Sequence, residues 1–212
     1  MGLTPITLEP PIIAPLESGD ELTQREFHRR YSAMPHLKKA ELIDGTVFMP
    51  SPVSHHHAKA HQEVVTWLGV YAANHPGVHA ADNVSVILDD RNEVQPDVCL
   101  RWAPERGGRT RIDDEGYVRG APELVVEVAL SSASIDLRRK RDLYLLSGVK
   151  EYLVWLVLDS KIHWWESIDG EFKPLDISPE TVIESHAFPG LRLDTGALLR
   201  GDQAMVLEKL KS

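Results

Sequence analysis

At 212 residues, with 42% hydrophobic and 26% charged side chains, the chain holds enough apolar material for a substantial core and has the composition of a water-soluble globular protein. Its formal net charge of −9 sets it apart from dedicated nucleic-acid binders, which neutralise phosphates with basic surfaces, yet leaves room for an acidic enzyme that holds a cation against a phosphate. The lone cysteine, Cys99, excludes an internal disulfide framework and a CxxC zinc ribbon, and fits a reducing compartment.

Residues 1–20 read as a Pro-rich arm, broken by Pro5, Pro10, Pro11 and Pro15 and lacking the basic n-region of a signal peptide. Its apolar residues Ile6, Leu8, Ile12 and Ile13 suit either a free tail or packing on a second subunit, and a homodimer is the expected assembly. The longest apolar run, residues 152–158, is far too short to span a bilayer, so no membrane partner is expected and the cytoplasm is the expected compartment. Residues 21–212 are expected to form one domain.

Thr23 with Glu26 is a capping-box pair that opens a short helix reaching about Ser32. Residues 40–49 form a hairpin around Asp44-Gly45, with Glu41 and Ile43 on one parity, so that Glu41 sits at the strand edge or points inward. Ser54 caps a second helix whose apolar stripe (Val64, Val65, Trp67, Leu68, Tyr71) stops before Pro76-Gly77. His57 and His61 stand four apart on that helix, the spacing of two metal ligands, but no HExxH and no third ligand accompany them. Two readings stay open for this cluster: capping-region histidines, or His57 as a phosphate contact in a cleft.

Residues 78–88 and 93–101 read as strands about a turn at 89–92, the second carrying Gln95, Asp97, Cys99 and Arg101 on one face. Residues 102–121 read as a long polar loop. Arg101, Arg106, Arg109 and Arg111, with the basic run 138–141, are the chain's basic concentrations. They are either solvated surface or, with Arg101, Arg138 and Arg139 foremost, a track for a phosphate backbone.

Residues 123–148 are the most informative. An apolar strand carries one carboxylate, Glu127, which is costly to bury unless a cation meets it. A polar turn follows, then a helix with Asp136, Lys140 and Tyr144 at four-residue steps, hence on one face. Side chains on a helix lean toward its N-terminus, so Lys140 leans back toward the strand that carries Glu127. The bland alternative pairs Glu127 with Arg138 or Arg139 to tie strand to helix. A three-stranded meander over residues 151–175 and a C-terminal helix over 197–210 complete an α/β chain with a mixed sheet. Trp155, Trp164 and Trp165 in the meander belong to the core or to a dimer contact.

Three stretches together, AELIDG at 40–45, QPDV at 95–98 and PELVVEVALSSAS…DLRRKRDLYLLSGVKEYLVW at 122–155, resemble the Uma-two family of restriction-endonuclease-like proteins within the PD-(D/E)xK nuclease superfamily. The resemblance runs from about residue 21 to about 195. It implies a restriction-endonuclease-like core, a central mixed β-sheet flanked by helices. Asp97 then matches the motif aspartate, Glu127 the second acidic ligand and Glu41 an additional acidic position. The superfamily's usual lysine position is Ala129 here, and the family pattern moves the lysine to Lys140. Oxygen ligands from Asp97, Glu127 and Glu41 suit Mg²⁺ or Mn²⁺. Lys140 would stabilise charge, and Gln95 would hold a water or an outer-shell ligand. The expected activity is metal-dependent endonucleolytic cleavage of DNA. The alternative is a catalytically inactive nuclease-like module that binds nucleic acid or a protein, consistent with Ala129 and the acidic balance.

Overall fold

The structure, a computed structural model, describes residues 13–49, 53–130, 132–177 and 181–211. Helix α1 (Gln24–Ser32) starts at Thr23, whose hydroxyl accepts the Glu26 amide. Strands β1 (Glu41–Ile43) and β2 (Thr46–Phe48) form the hairpin, with Asp44 and Gly45 both at positive φ, the type I′ geometry that Asp-Gly favours. Helix α2 (His55–Asn74) is capped by Ser54. Most of the arm, residues 1–12, lies outside the described residues. Its end packs on its own chain, because Leu16 is buried with Phe27, Ala40, Leu42 and Val47.

The segments read as two long strands each break in the middle. Residues 78–88 give β3 (Val78–Asp82) and β4 (Val86–Ile87), and residues 93–101 give β5 (Glu93–Val94) and β6 (Val98–Trp102). The breaks have a topological cause: β3 and β6 belong to one six-stranded sheet, β4 and β5 to another, so the chain crosses between sheets twice. Asn83 turns the first crossing with a positive φ, and Pro96, with no N–H to give a ladder, sits in the second. The expected polar loop also contains order, a 3₁₀ turn at Pro104–Arg106 and the short strands β7 (Arg111–Ile112) and β8 (Val118–Arg119).

Strand β9 (Leu124–Ala129) is followed by α3 (Ala133–Ile135), a π-helical segment (Asp136–Lys140) and α4 (Arg141–Ser147), closed by Gly148 at positive φ. The meander is β10 (Glu151–Leu156), β11 (Lys161–Ile168) and β12 (Glu171–Pro174). The end is β13 (Val182–Glu184), β14 (Arg192–Asp194), α5 (Thr195–Arg200) and α6 (Gln203–Glu208); Gly201 at positive φ splits what the sequence suggests is one helix.

The central sheet has the order β12-β11-β10-β9-β6-β3 and is mixed: β9 and β10 are parallel, the other pairs antiparallel. A parallel pair needs a crossover connection, and the helix carrying Lys140 is that crossover. Both faces of the sheet are covered. Leu124, Val126 and Val128 face Val64, Trp67, Leu68 and Tyr71 of α2; Val125 and Ala129 face Tyr144 and, from the second sheet (β2-β1-β5-β4-β8-β7), Ile43, Val86 and Val94. Trp155, Trp164 and Trp165 are all buried within the chain. Among the described residues no helix is long and apolar enough to cross a membrane.

The β1–β2 turn offers a direct check on how firmly Glu41 is delivered. Gly45 has φ +82° and a Cβ there would run into the Arg91 guanidinium, so Gly45→Ala is expected to cost about 1 kcal/mol or more. A fall of roughly 2–4 °C in thermal midpoint is the corresponding signal; an unchanged midpoint would mean the turn tolerates another geometry.

Candidate active site

The two crossings between sheets put the end of one sheet against the other, and a cleft of about 620 Å³ opens at that seam. Glu41, Asp97, Glu127, Asp136, Lys39, Lys140, His57 and His61 all line it. The register explains why the two motif acids meet. Val98 pairs with Val126 at the end of the β6–β9 ladder, so one step further Asp97 falls opposite Glu127 on the same sheet face.

Asp97 substitutes for the ladder there. Its Oδ2 accepts the Val128 amide at 2.8 Å, and its own carbonyl accepts from the Asn83 amide (3.2 Å) and lies 3.0 Å from His61 Nε2. Lys39 Nζ sits 3.0 Å from Oδ1 and His57 Nε2 3.5 Å from Oδ2. Burial alone would raise the Asp97 pKa, but the His57 contact, the Lys39 ammonium, the Val128 N–H and Lys140 outweigh it and hold the carboxyl well below the usual range.

Lys140 is the opposite case, an ammonium enclosed by acids. Its Nζ lies 2.8 Å from Glu41 Oε2, 3.0 Å from Glu127 Oε1 and 3.7 Å from Asp136 Oδ1, with the side chain only 5% exposed. Burial disfavours its charge, yet the three carboxylates hold its pKa well above the ordinary lysine value. The π segment ends at Lys140, and such local widening of a helix is common where side chains are aimed at a site. Tyr144, one step on, donates its hydroxyl to the same Glu127 Oε1 at 2.9 Å. Both donors to Glu127 therefore land on Oε1; among the described residues none falls on Oε2. Burial, with Asp97, Asp136 and Glu41 nearby, pushes the Glu127 pKa up to about 8 against the pull of Lys140.

The sequence expectations divide cleanly against this geometry. Asp97, Glu127, Lys140, Glu41 and His57 come together in the cleft, and Glu127 pairs with Lys140 rather than with Arg138 or Arg139. Gln95 does not line the cleft with them. The strand breaks at Pro96, so Gln95 leaves Asp97's face; its side chain donates to Ser85 Oγ (3.1 Å) and accepts from Tyr31, while its backbone N–H fixes Glu41 Oε1 at 2.8 Å. Both Glu41 oxygens are engaged within the chain, one by the Gln95 N–H and the other by the Lys140 ammonium. Among the described residues, no three His, Cys, Asp or Glu side chains are grouped to ligate one ion. Arg101, Arg138 and Arg139 do not line the cleft; Arg138 and Arg139 are exposed, and Arg139 lies over the ring of Phe48 at its rim. Arg109 is spent on the Gly148 carbonyl.

Lys39 and Asp136 are the site residues that sequence reading missed. Lys39 precedes β1 in a segment without periodicity, and only the crossing at Gln95–Asp97 brings Asp97 to it. Asp136 carried a signal, its four-residue step from Lys140.

The donor set fits a hydrated Mg²⁺ or Mn²⁺. Four carboxylates line the cleft with three lysines, Lys38, Lys39 and Lys140, leaving an excess of one negative charge when all are ionised, and burial together with the neighbouring acids raises the Glu127 pKa. Magnesium retains several waters and needs only one or two carboxylates, for which Asp97 and the Oε2 side of Glu127 suffice.

Comparison with known proteins agrees with this architecture. A crystal structure from Anabaena variabilis, titled a "putative nuclease belonging to DUF820", superposes with a TM-score of 0.63 at 14% identity, covering 86% of this chain and 97% of that one, which establishes a shared fold. No curated protein matches the chain. The Uma2 family, described as "Putative restriction endonuclease", matches residues 25–196, through every element from α1 to the start of α5, and the chain belongs to that family.

Proposed function

We propose that the protein is a metal-dependent phosphodiesterase that cleaves DNA. Membership of a nuclease family supports phosphodiester hydrolysis in general. The observation that carries the finer reading is the meeting of Asp97, Glu127 and Lys140 in one open cleft from three separate parts of the chain.

In this reading Asp97 and Glu127 hold Mg²⁺ or Mn²⁺, which supplies Lewis-acid relief of charge on the scissile phosphate. The chain's own residues do the rest. Glu41 and Asp136 fix the Lys140 ammonium in one position, so its protons point at a preset place instead of reorienting as charge develops. His57 and Lys39 line the same wall and face an incoming phosphate. Gln95 and Tyr144 act one step back, holding Glu41 and Glu127.

The test is cleavage of plasmid and of single-stranded DNA with Mg²⁺ or Mn²⁺, against Asp97→Asn, which keeps an acceptor for the Val128 amide. The variant is expected to lose at least about 10²–10³ in rate, the usual cost of one stabilising group. Equal cleavage by wild type and variant, or cleavage indifferent to chelator, would remove the proposal. A second reading, a module that binds without cutting, is favoured by the net charge of −9 and by the missing three-ligand group among the described residues. It requires that Mn²⁺ titration calorimetry give no heat that depends on Asp97.

A further inference from the structure

Of the three lysines that line the cleft, Lys39 and Lys140 ion-pair with its acids, in different conditions. Lys140 is enclosed by three carboxylates and is 5% exposed at its side chain; Lys39 is 22% exposed and ion-pairs, among the described residues, with Asp97 alone. Lys140 sits on a helix packed on the sheet, whereas Lys39 lies between α1 and β1 in a stretch with no regular structure. One cation is locked and the other has a single tether.

That tether occupies a particular oxygen. Asp97 Oδ2 already takes the Val128 amide and faces His57, so Oδ1 is the oxygen left for a ligand role, and Lys39 Nζ stands 3.0 Å from it. A divalent ion binds a carboxylate oxygen at roughly 2.0–2.1 Å for Mg²⁺. Ammonium and ion on the same oxygen would put three positive charges within about 4 Å in a partly dry cleft, where such repulsion is far stronger than in water. The two exclude one another.

We propose that Lys39 is the resident cation of the Asp97 seat, exchanged for a divalent ion, and that the displaced ammonium then serves the substrate phosphate. The inference rests on the reading of Asp97 as a metal ligand. Before the ion arrives, Lys39 keeps the carboxylate ionised and aimed. Once displaced, its four-carbon stem still roots in the cleft wall beside Leu37 and Lys38, so the ammonium swings within the space a phosphate would fill. Lys39 is then a gate on ion entry and a phosphate contact in turn.

The exchange makes two readouts move in opposite directions. In Lys39→Met, Mn²⁺ should bind about tenfold or more tighter by calorimetry, since a competing charge is gone. Single-turnover cleavage at saturating Mn²⁺ should nevertheless slow, by about 10²-fold for a lost charge-stabilising group. Lys39→Arg, which keeps the charge, should retain the weaker wild-type affinity, and urea melts of both variants establish that they fold. A lysine that merely supports the fold predicts the reverse, a looser Asp97 and weaker ion binding. Unchanged or weaker Mn²⁺ binding in Lys39→Met overturns the exchange while leaving the metal reading standing; tighter binding with undiminished cleavage overturns the transfer to phosphate. Absence of Asp97-dependent Mn²⁺ binding in every protein tested removes the metal reading and the exchange together.

Discussion

Replacing Lys140 with methionine is expected to destabilise the fold by about 3–5 kcal/mol and to remove cleavage by at least about 10²–10³. The stability loss follows from what remains behind. Glu41, Glu127 and Asp136 are nearly inaccessible to water; the Lys140 ammonium is the counter-ion of the Glu41 and Asp136 carboxylates and donates to the Glu127 carboxyl. Removing one partner of a buried ion pair strands the other charge, which is why such deletions cost more than the pair itself contributes. Methionine fills much of the lysine stem's volume, so cavity formation is a minor part of the effect.

The two losses separate in a combined variant. Glu41→Gln and Asp136→Asn added to Lys140→Met leave fewer buried charges without a partner and should recover much of the stability, but none of the cleavage. Urea titrations of the single and triple variants check the first half, and single-turnover cleavage checks the second. A Lys140→Met protein as stable as wild type would mean that the acids are not held by this ammonium, and the geometry of the cleft would have to be redrawn.

What the sequence revealed about this cluster, and what it hid, has a physical pattern. Features governed by neighbours in the chain were legible: Thr23 and Ser54 as caps, Asp44-Gly45 as the hairpin turn, Gly148 as a helix stop. The four-residue steps of Asp136, Lys140 and Tyr144 were legible as well, because a helix face is a local property and Glu127 is an anomaly inside an apolar strand. Features set by the meeting of two sheets were not. Nothing in residues 93–101 announces that β5 and β6 belong to different sheets beyond Pro96, so Gln95 and Asp97 looked like neighbours on one face. The same crossing brings Lys39 to Asp97 across 58 positions, a contact that no spacing rule anticipates. Parity with Ile43 left Glu41 either at the strand edge or pointing inward, and its contacts were not legible, because Gln95 and Lys140 reach it only in the folded chain.

The hydrogen-bond pattern at Glu127 leads to a sharper expectation: Glu127→Gln should be at least as stable as wild type at neutral pH while losing cleavage by about 10²–10³ or more. With its pKa raised to about 8 by burial, Glu127 is expected to keep its proton in the native state at pH 7, whereas the unfolded chain has released it above about pH 4.5. Between those values the native state binds more protons than the unfolded one, so stability falls as pH rises, by up to about 1.4 kcal/mol per pH unit. The proton's place is fixed by the donors. Lys140 and Tyr144 both give hydrogen bonds to Oε1, so the hydrogen belongs on Oε2. Glutamine reproduces that state, its carbonyl oxygen accepting both donors and its amide standing where the acidic proton stood. Its neutral side chain removes Glu127's share of the pH slope, and thermal melts from pH 5 to 8 on both proteins would reveal a flatter profile in the variant. Ion binding by wild type at pH 7 must expel the same proton, so Mn²⁺ titrations in buffers of different ionisation heat should register its release. If Glu127→Gln melts well below wild type at pH 7, the carboxyl is ionised in the resting protein, and ion binding there should release no proton from it.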